Sequence, residues 1–157
     1  MASPPAHEID DSATYEVTIA TDKGDIVLEL DPGLAPQSVN NFVSLARRGY
    51  YDGVTFHRVV PSFVIQGGDP EGSGRGGPGY TFADEPVKGE YTHGAVAMAN
   101  AGPDSNGSQF FICIDDCTRK LDKAYNLFGY VTSGLEVTGQ IVQGDVMRSV
   151  TVVEKPG

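Results

Sequence analysis

Apolar and polar residues alternate near the start of the chain in the way expected for two paired strands. The alternation covers residues 15–20 and again residues 25–30, as in strands that bury one face. The residues between them, 21–24, are polar and end in Gly24, which can adopt a positive φ. The pattern therefore predicts a β-hairpin.

A helical period replaces this alternation after the break at residues 31–33. Four apolar residues recur at the spacing i, i+3, i+4 and i+7, namely Val39, Phe42, Val43 and Ala46. That spacing places them on one helical face. Pro36 suits the first turn of a helix, and Gly49 follows Arg47 and Arg48 as a C-terminal cap. A helix is predicted between these two signals.

Short apolar segments with glycine turns make up most of the remaining chain. Further strands are predicted over residues 54–60, 63–66, 95–99, 109–114, 127–131 and 148–153, and a second, shorter helix over residues 135–142. Many short strands with two helices favour a mainly β fold, a closed antiparallel barrel whose open ends the helices cover. A sandwich is the alternative. A parallel α/β fold is disfavoured because it needs regular alternation of strands and helices.

The chain of 157 residues fits one domain. Residues 1–13 are polar and contain proline, so we expect a disordered tail there and a single domain over residues 14–157. No stretch has the length and apolarity of a membrane span or of a signal-peptide core. A cytoplasmic protein is therefore expected, although a trimmed export signal stays open, and a small barrel of this kind is expected to be a monomer.

Charge and cysteine content narrow the possible partners. The net charge is −10, with 21 acidic and 11 basic residues, so neither nucleic acid nor an anionic membrane is expected as a partner. The cysteines, Cys113 and Cys117, are too few for a disulfide framework. No histidine pair has ligand spacing, so we expect no metal. No cofactor motif is found either, because the glycine-rich loop at residues 67–79 does not lead into a helix as a phosphate loop does.

One cation stands out because it lies in an apolar run of strand-forming residues. Arg58 is followed by Val59 and Val60, then by Phe63 and Gln66. An unpaired charge in such surroundings is costly. Arg58 is therefore a candidate donor aimed at a substrate, and the alternative is a structural ion pair with one of the many carboxylates.

A second candidate segment spans residues 98–112. It begins with small residues and a polar turn, and it ends with a strand that carries Gln109 and Phe111. These two share strand parity and therefore point to one face. An aromatic ring beside an amide suits an apolar pocket with a few placed polar groups. The alternative is that Phe110 and Phe111 both belong to the core.

Several ordered motifs together resemble the cyclophilins, a family of peptidyl-prolyl cis-trans isomerases. The matching segments are Phe56-His57-Arg58, Gln66-Gly67-Gly68-Asp69, Met98-Ala99-Asn100-Ala101-Gly102-Pro103, Asn106-Gly107-Ser108-Gln109-Phe110-Phe111-Ile112, Leu121-Asp122 and Phe128-Gly129. The resemblance covers residues 15–154. It implies an eight-stranded antiparallel barrel capped by two helices, with an active groove on its outer surface.

The resemblance also implies a role for each candidate residue. Arg58 corresponds to the catalytic arginine. The proline-ring pocket corresponds to Phe63, Phe111 and Leu121, with Val64 where the family often has methionine, and Tyr125 is a further substrate-binding candidate. The groups that hold the substrate backbone and the small residues beside them correspond to Gln66, Asn100, Gln109, Ala99 and Ala101. The implied reaction is rotation about X–Pro bonds in proline-containing peptides and in unfolded or folding proteins, without a cofactor.

Two positions depart from the cyclosporin-sensitive members of the family. Lys120 replaces a tryptophan, and Tyr125 replaces the histidine of many eukaryotic members. Both departures are similar to the compact prokaryotic members and predict weak cyclosporin binding. A peptide-binding or chaperone module with little turnover is the alternative function.

One geometric difficulty concerns strand parity. Arg58 and Gln66 share one face of a strand, whereas simple alternation would place Phe63 on the opposite face.

Overall fold

The computed structural model describes residues 3–157, which form eight strands and two helices. The strands are β1 (Thr14–Thr21), β2 (Gly24–Leu30), β3 (Arg58–Val60), β4 (Val64–Gly67), β5 (Ala95–Met98), β6 (Phe110–Cys113), β7 (Leu127–Ser133) and β8 (Ser149–Lys155). The helices are α1 (Pro36–Arg47) and α2 (Leu135–Thr138). The predicted first hairpin and first helix are confirmed.

All strand pairs are antiparallel, in the order β3-β4-β6-β5-β7-β2-β1-β8. The two ends of this sheet are joined by backbone hydrogen bonds between the segments that precede β3 and β8. Gly53 N donates to Met147 O at 2.8 Å, and Met147 N donates to Val54 O at 2.9 Å. Phe56 N donates to Asp145 O at 2.9 Å. These bonds close the sheet into the predicted barrel.

Helix α1 packs its apolar face against the inside of the barrel. Val39, Phe42 and Val43 are fully buried there. The Phe42 ring stacks on Tyr51 with centroids 4.7 Å apart and meets the edge of Phe110 at 5.2 Å. Aromatic pairs at such distances add to the free energy of apolar burial. The core therefore fills the barrel interior, and any groove must lie outside it.

Two predicted elements are shorter than expected. The strand predicted over residues 54–60 is continuous only over β3, because residues 53–56 pair across the barrel with residues 144–147 instead. The helix predicted over residues 135–142 ends with α2, and Gly139 follows as its C-cap. Glycine has a low helix propensity, and the residues beyond it continue only as single turns.

Residues 3–13 contain neither helix nor strand, and they lie along α1. Asn40 Oδ1 accepts hydrogen bonds from Glu8 N at 2.8 Å and from Ile9 N at 3.3 Å, and the Ile9 side chain is buried. The disorder predicted for residues 1–13 stays a prediction, and the first two residues lie outside the described residues. No helix within residues 3–157 combines the length and apolarity needed to cross a membrane.

A carboxylate from a distant loop caps α1. Glu85 accepts hydrogen bonds from Gln37 N at 2.9 Å, from Ser38 N at 2.8 Å and from Ser38 Oγ at 2.7 Å. Glu85 N in turn donates to Asn126 Oδ1 at 2.8 Å. A negative charge at a helix N-terminus pairs with the free amides there and with the helix dipole. This cap ties α1 to the segment that precedes β7.

We expect Glu85→Ala to lower the free energy of unfolding by about 1–2 kcal/mol, because two helix amides lose their acceptor. Urea unfolding at neutral pH measures the change. Glu90→Ala is the matched control, since the exposed side chain of Glu90 pairs among the described residues only with Lys123, and it should change the value by less than about 0.5 kcal/mol. Equal losses in the two variants would contradict the capping role.

Candidate active site

The hairpin formed by β3 and β4 places Arg58 directly opposite Gln66. The Arg58 guanidinium donates from Nη1 to Gln66 Oε1 at 3.2 Å. This is its only hydrogen bond within residues 3–157, and no carboxylate in that range lies within ion-pair distance of it. Arg58 is exposed. The guanidinium is therefore oriented by a neutral partner and keeps donors available for a ligand.

Pairing across β4 and β6 extends this face. Gln66 lies opposite Phe111 on β6, and Phe111 lies opposite Ala97 on β5. Directly opposed residues in a sheet project to the same side. Arg58, Gln66 and Phe111 consequently form a row across three neighbouring strands on the outer surface of the barrel.

Phe63 reaches the same site from a turn and not from a strand. Phe63 N donates to Val60 O at 3.1 Å, which closes a tight turn between the paired residues Val60 and Val64. Ser62 in this turn has a φ of +60°. Strand alternation does not continue through the turn, and this removes the parity conflict between Phe63 and its neighbours Arg58 and Gln66.

A chain of hydrogen bonds runs from Arg58 to the glycine-rich loop. Gln66 Nε2 donates to Gln109 Oε1 at 3.2 Å. Gln109 Nε2 then donates to Gly74 O at 2.9 Å and to Gly76 O at 3.0 Å. Each amide both accepts and donates, so the direction of every member depends on the next.

The glycine-rich loop is wrapped around the buried carboxylate of Asp69. That carboxylate accepts from Glu71 N at 2.8 Å, Ser73 N at 2.8 Å and Gly74 N at 2.5 Å. Burial acts to raise the pKa of Asp69, but the backbone amides of the loop outweigh it, so the pKa is lowered. Glycine is required at residue 76, because a side chain there would overlap the carboxylate.

A cleft of about 570 Å³ lies beside Arg58. The predicted site residues that line it are Arg58, Phe63, Val64, Gln66, Ala99, Asn100, Phe111, Leu121 and Tyr125. The remaining two, Ala101 and Gln109, line an adjoining cleft of about 740 Å³ that shares Gln66, Ala99 and Asn100 with the first. All eleven predicted residues thus border one continuous groove.

Tyr125 forms part of the apolar wall of the cleft. Its ring meets the edge of Phe111 with centroids 5.5 Å apart. The backbone of Tyr125 is held by Tyr91, whose hydroxyl donates to Tyr125 O at 2.6 Å. Burial raises the pKa of Tyr91 to about 12, so this donor keeps its proton at neutral pH. On the neighbouring segment, Asn100 Nδ2 donates to Ala124 O at 2.9 Å.

His57, Ser73 and Gly74 also line the cleft, although they were not among the predicted site residues. Burial lowers the pKa of His57, and Nδ1 of its ring is buried without a hydrogen-bond partner among the described residues. Alternation along a strand would place His57 on the face opposite to Arg58. His57 precedes β3, however, so this alternation does not apply to it. Its position just before the strand is the one signal that could have indicated a place in the site. Within residues 3–157, no group of three or more potential ligands could hold a metal ion.

Comparison with known proteins gives one consistent family. Residues 16–156 match the model of the cyclophilin type peptidyl-prolyl cis-trans isomerase/CLD family. Peptidyl-prolyl cis-trans isomerase B of Bacillus subtilis is 50% identical over 133 residues, covering 83% of this chain and 92% of the relative. A peptidyl-prolyl cis-trans isomerase of Helicobacter pylori is 48% identical over 141 residues, covering 87% and 86% respectively.

Solved structures give the same result. A cyclophilin type peptidyl-prolyl cis-trans isomerase of Cryptosporidium parvum superposes with a TM-score of 0.83 at 31% identity, covering 91% of this chain and 99% of that structure. The structure of that protein in the presence of the dipeptide Ala-Pro gives a TM-score of 0.81 at 32% identity, covering 88% and 98% respectively.

We expect Asp69→Asn to lower the free energy of unfolding at pH 7 by about 1–3 kcal/mol, because an amide cannot replace a carboxylate that accepts several loop amides. The lowered pKa means that this stabilisation is complete above the unfolded-state value of about 3.9 and is lost as the pH falls through the lower folded-state value. Urea unfolding of wild type and Asp69→Asn, at pH 7 and at an acidic pH below the folded-state pKa, tests this.

The difference between wild type and Asp69→Asn should therefore shrink on acidification. Glu71→Gln, an exposed change on the same loop, is the control and should alter stability by less than about 0.5 kcal/mol at either pH. A wild-type stability for Asp69→Asn at pH 7 would rule out the anchoring role of Asp69.

Proposed function

The chain belongs to the cyclophilin-type peptidyl-prolyl cis-trans isomerase family, and on the geometry of its groove we propose that Arg58 is the catalytic residue of this isomerase. The observation that carries the proposal is the position of Arg58, which is exposed at the cleft and bonded only to the neutral side chain of Gln66 within the described residues. An arginine neutralised by a carboxylate could not act in the same way.

The reaction needs neither a nucleophile nor a metal. Rotation about a peptide bond is slow because the nitrogen lone pair is delocalised into the carbonyl, which gives a barrier of about 18–20 kcal/mol. The cis and trans forms of an X–Pro bond differ by only about 0.5–1 kcal/mol. A catalyst therefore has to stabilise the twisted form, in which the proline nitrogen is pyramidal and its lone pair is free.

Arg58 is suited to stabilise that form. Its guanidinium stays charged and presents fixed N–H donors, and a donor near the proline nitrogen gains a hydrogen bond only when the lone pair is released. An interaction made only in the transition state raises the rate and not simply the affinity. The bond from Arg58 to Gln66 fixes the guanidinium before the substrate binds, so little reorganisation is needed during the reaction.

The rest of the groove holds the substrate around the rotating bond. Phe63, Phe111 and Leu121 form an apolar wall for the proline ring and exclude water from it, which strengthens the contact with Arg58. Asn100 and Gln66 offer amide groups to the backbone on one flank. A millionfold acceleration requires about 8 kcal/mol, and a charge-assisted contact combined with orientation is of the right size to supply most of it.

The family binds proline-containing peptides, and we extend this to unfolded or folding proteins as clients of this chain. A monomer is supported because the large apolar side chains exposed within residues 3–157 are isolated: Val142 lies in the loop between α2 and β8, and Val153 lies on β8. The free, buried thiols of Cys113 and Cys117 support a reducing compartment such as the cytoplasm.

Arg58→Ala should lower kcat/KM for a peptide with one X–Pro bond by about 100- to 1000-fold, since the transition state loses a fixed donor. Unfolding in urea should be unchanged, because Arg58 is exposed. Arg48→Ala, at the exposed C-cap of α1, is the matched control and should keep full activity. A wild-type rate in Arg58→Ala would exclude the proposed role.

The alternative hypothesis, a peptide-binding module with little turnover, predicts a different result for the same samples. NMR exchange spectroscopy measures binding and cis-trans interconversion together. If wild type bound the proline peptide without accelerating its interconversion, the groove would be a binding site only.

We also expect weak inhibition by cyclosporin, because Lys120 and Tyr125 occupy positions where sensitive members of the family carry tryptophan and histidine. Inhibition of the isomerase reaction measures this. Nanomolar inhibition of the wild-type chain would contradict the expectation.

A further inference from the structure

The turn that carries Phe63 has an unfavourable backbone conformation. Ser62 lies in the left-handed region with a φ of +60°, which glycine or asparagine would adopt at lower cost. A residue in that region persists only when surrounding contacts hold it. The turn also joins β4 to β3, and β3 is hydrogen-bonded within the sheet only to β4.

Within residues 3–157, three contacts reach this turn from outside its own hairpin, and all come from the segment after β6. Ile114 N donates to Phe63 O at 2.9 Å, and Cys117 Sγ lies 3.4 Å from the same oxygen. Lys120 Nζ donates to Ser62 O at 2.6 Å. A charged donor forms a shorter and stronger bond than a neutral one, so the lysine is the main fixed point for the carbonyl of Ser62.

The position of Lys120 connects two walls of the proline pocket. Lys120 immediately precedes Leu121, and both backbone amides donate to Cys117 O, at 3.0 and 3.2 Å. This forms a compact turn that carries Leu121, while the lysine side chain reaches the turn that carries Phe63. Asp115, 3.9 Å from Lys120 Nζ, supplies an opposite charge beside the ammonium group.

We propose that Lys120 is a positioning residue of the isomerase, which sets the separation of Phe63 and Leu121 by holding Ser62 in its left-handed conformation. The proposal rests on the function assigned to this groove. Lys120 does not line the cleft itself, so it acts through the two apolar walls. Its loss should weaken the fit of the proline ring and leave the orientation of Arg58 intact, because Arg58 is held by Gln66.

The test compares Lys120→Met, which keeps the stem and removes the donor, with Lys120→Arg, which retains a donor. A capped, uncharged peptide with a single Ala-Pro bond removes any direct attraction to the ammonium group. We expect Lys120→Met to raise the Kd of this peptide about threefold to tenfold, as a partly exposed charged hydrogen bond allows. The kcat, measured by NMR exchange at saturating peptide, should change by less than about twofold.

Lys120→Arg should restore the wild-type Kd, and Lys123→Met should leave it unchanged, because Lys123 pairs with Glu90 at 3.1 Å away from the turn. Ser62→Gly removes the backbone strain. In that background, Lys120→Met should raise the Kd by less than about twofold.

An unchanged Kd in Lys120→Met would overturn the proposal, and so would an equal rise in Lys123→Met or an undiminished rise in the Ser62→Gly background. These outcomes do not depend on the role of Arg58. If Arg58 is not the catalytic residue, Arg58→Ala should instead show normal turnover. The peptide Kd values of the Lys120 variants would still test the role of Lys120 in that case.

Discussion

The direction of the Arg58 guanidinium depends on a chain of hydrogen bonds that ends at a buried carboxylate. Arg58 is oriented by Gln66, Gln66 by Gln109, and Gln109 by carbonyl groups of a loop that folds around Asp69. An exposed arginine would otherwise sample many rotamers, and fixing it during the reaction would cost entropy. The loop lacks helix and strand, yet it supplies the rigid end of this chain, because its amides converge on a single charge.

The barrel provides a rigid scaffold, and the groove lies on its outer surface. The interior is filled by core side chains, which include the apolar face of α1 and the ring of Phe110, so no substrate can enter it. The groove is instead built on neighbouring antiparallel strands, whose hydrogen-bond ladders set the spacing of Arg58, Gln66 and Phe111. A reaction that requires only a well-oriented donor and an apolar surface is compatible with such an open site.

Much of the fold and most groove residues could be predicted from the sequence, because periodicity and the ordered motifs around Arg58 are local signals. What could not be predicted depends on contacts between distant segments. The pairing of residues 53–56 with residues 144–147 interrupts a strand that looked continuous. The bond from Lys120 to Ser62 spans 58 positions of sequence, and no local pattern indicates that an exposed lysine supports a turn. The place of Phe63 in the groove likewise depended on that turn, which strand alternation alone could not resolve.

The pairing of β1 with β8 has a consequence for how the barrel can be cut and joined. Thr14 at the start of β1 lies opposite Lys155 at the end of β8, so the first and last strands of the barrel pair over residues 14–20 and 149–155. The strands that carry the groove are β3 to β6. In the closed barrel β3 comes beside β8 through the segments that precede the two strands, while β4, β5 and β6 are separated from the junction by other strands. A linker across the junction, with new ends opened in an exposed loop elsewhere, would preserve every strand pair, and it must keep residues 3–13, which contact α1 through Asn40. Circular permutation at this junction would therefore keep both the strand pairs of the groove and the segment that lies along α1.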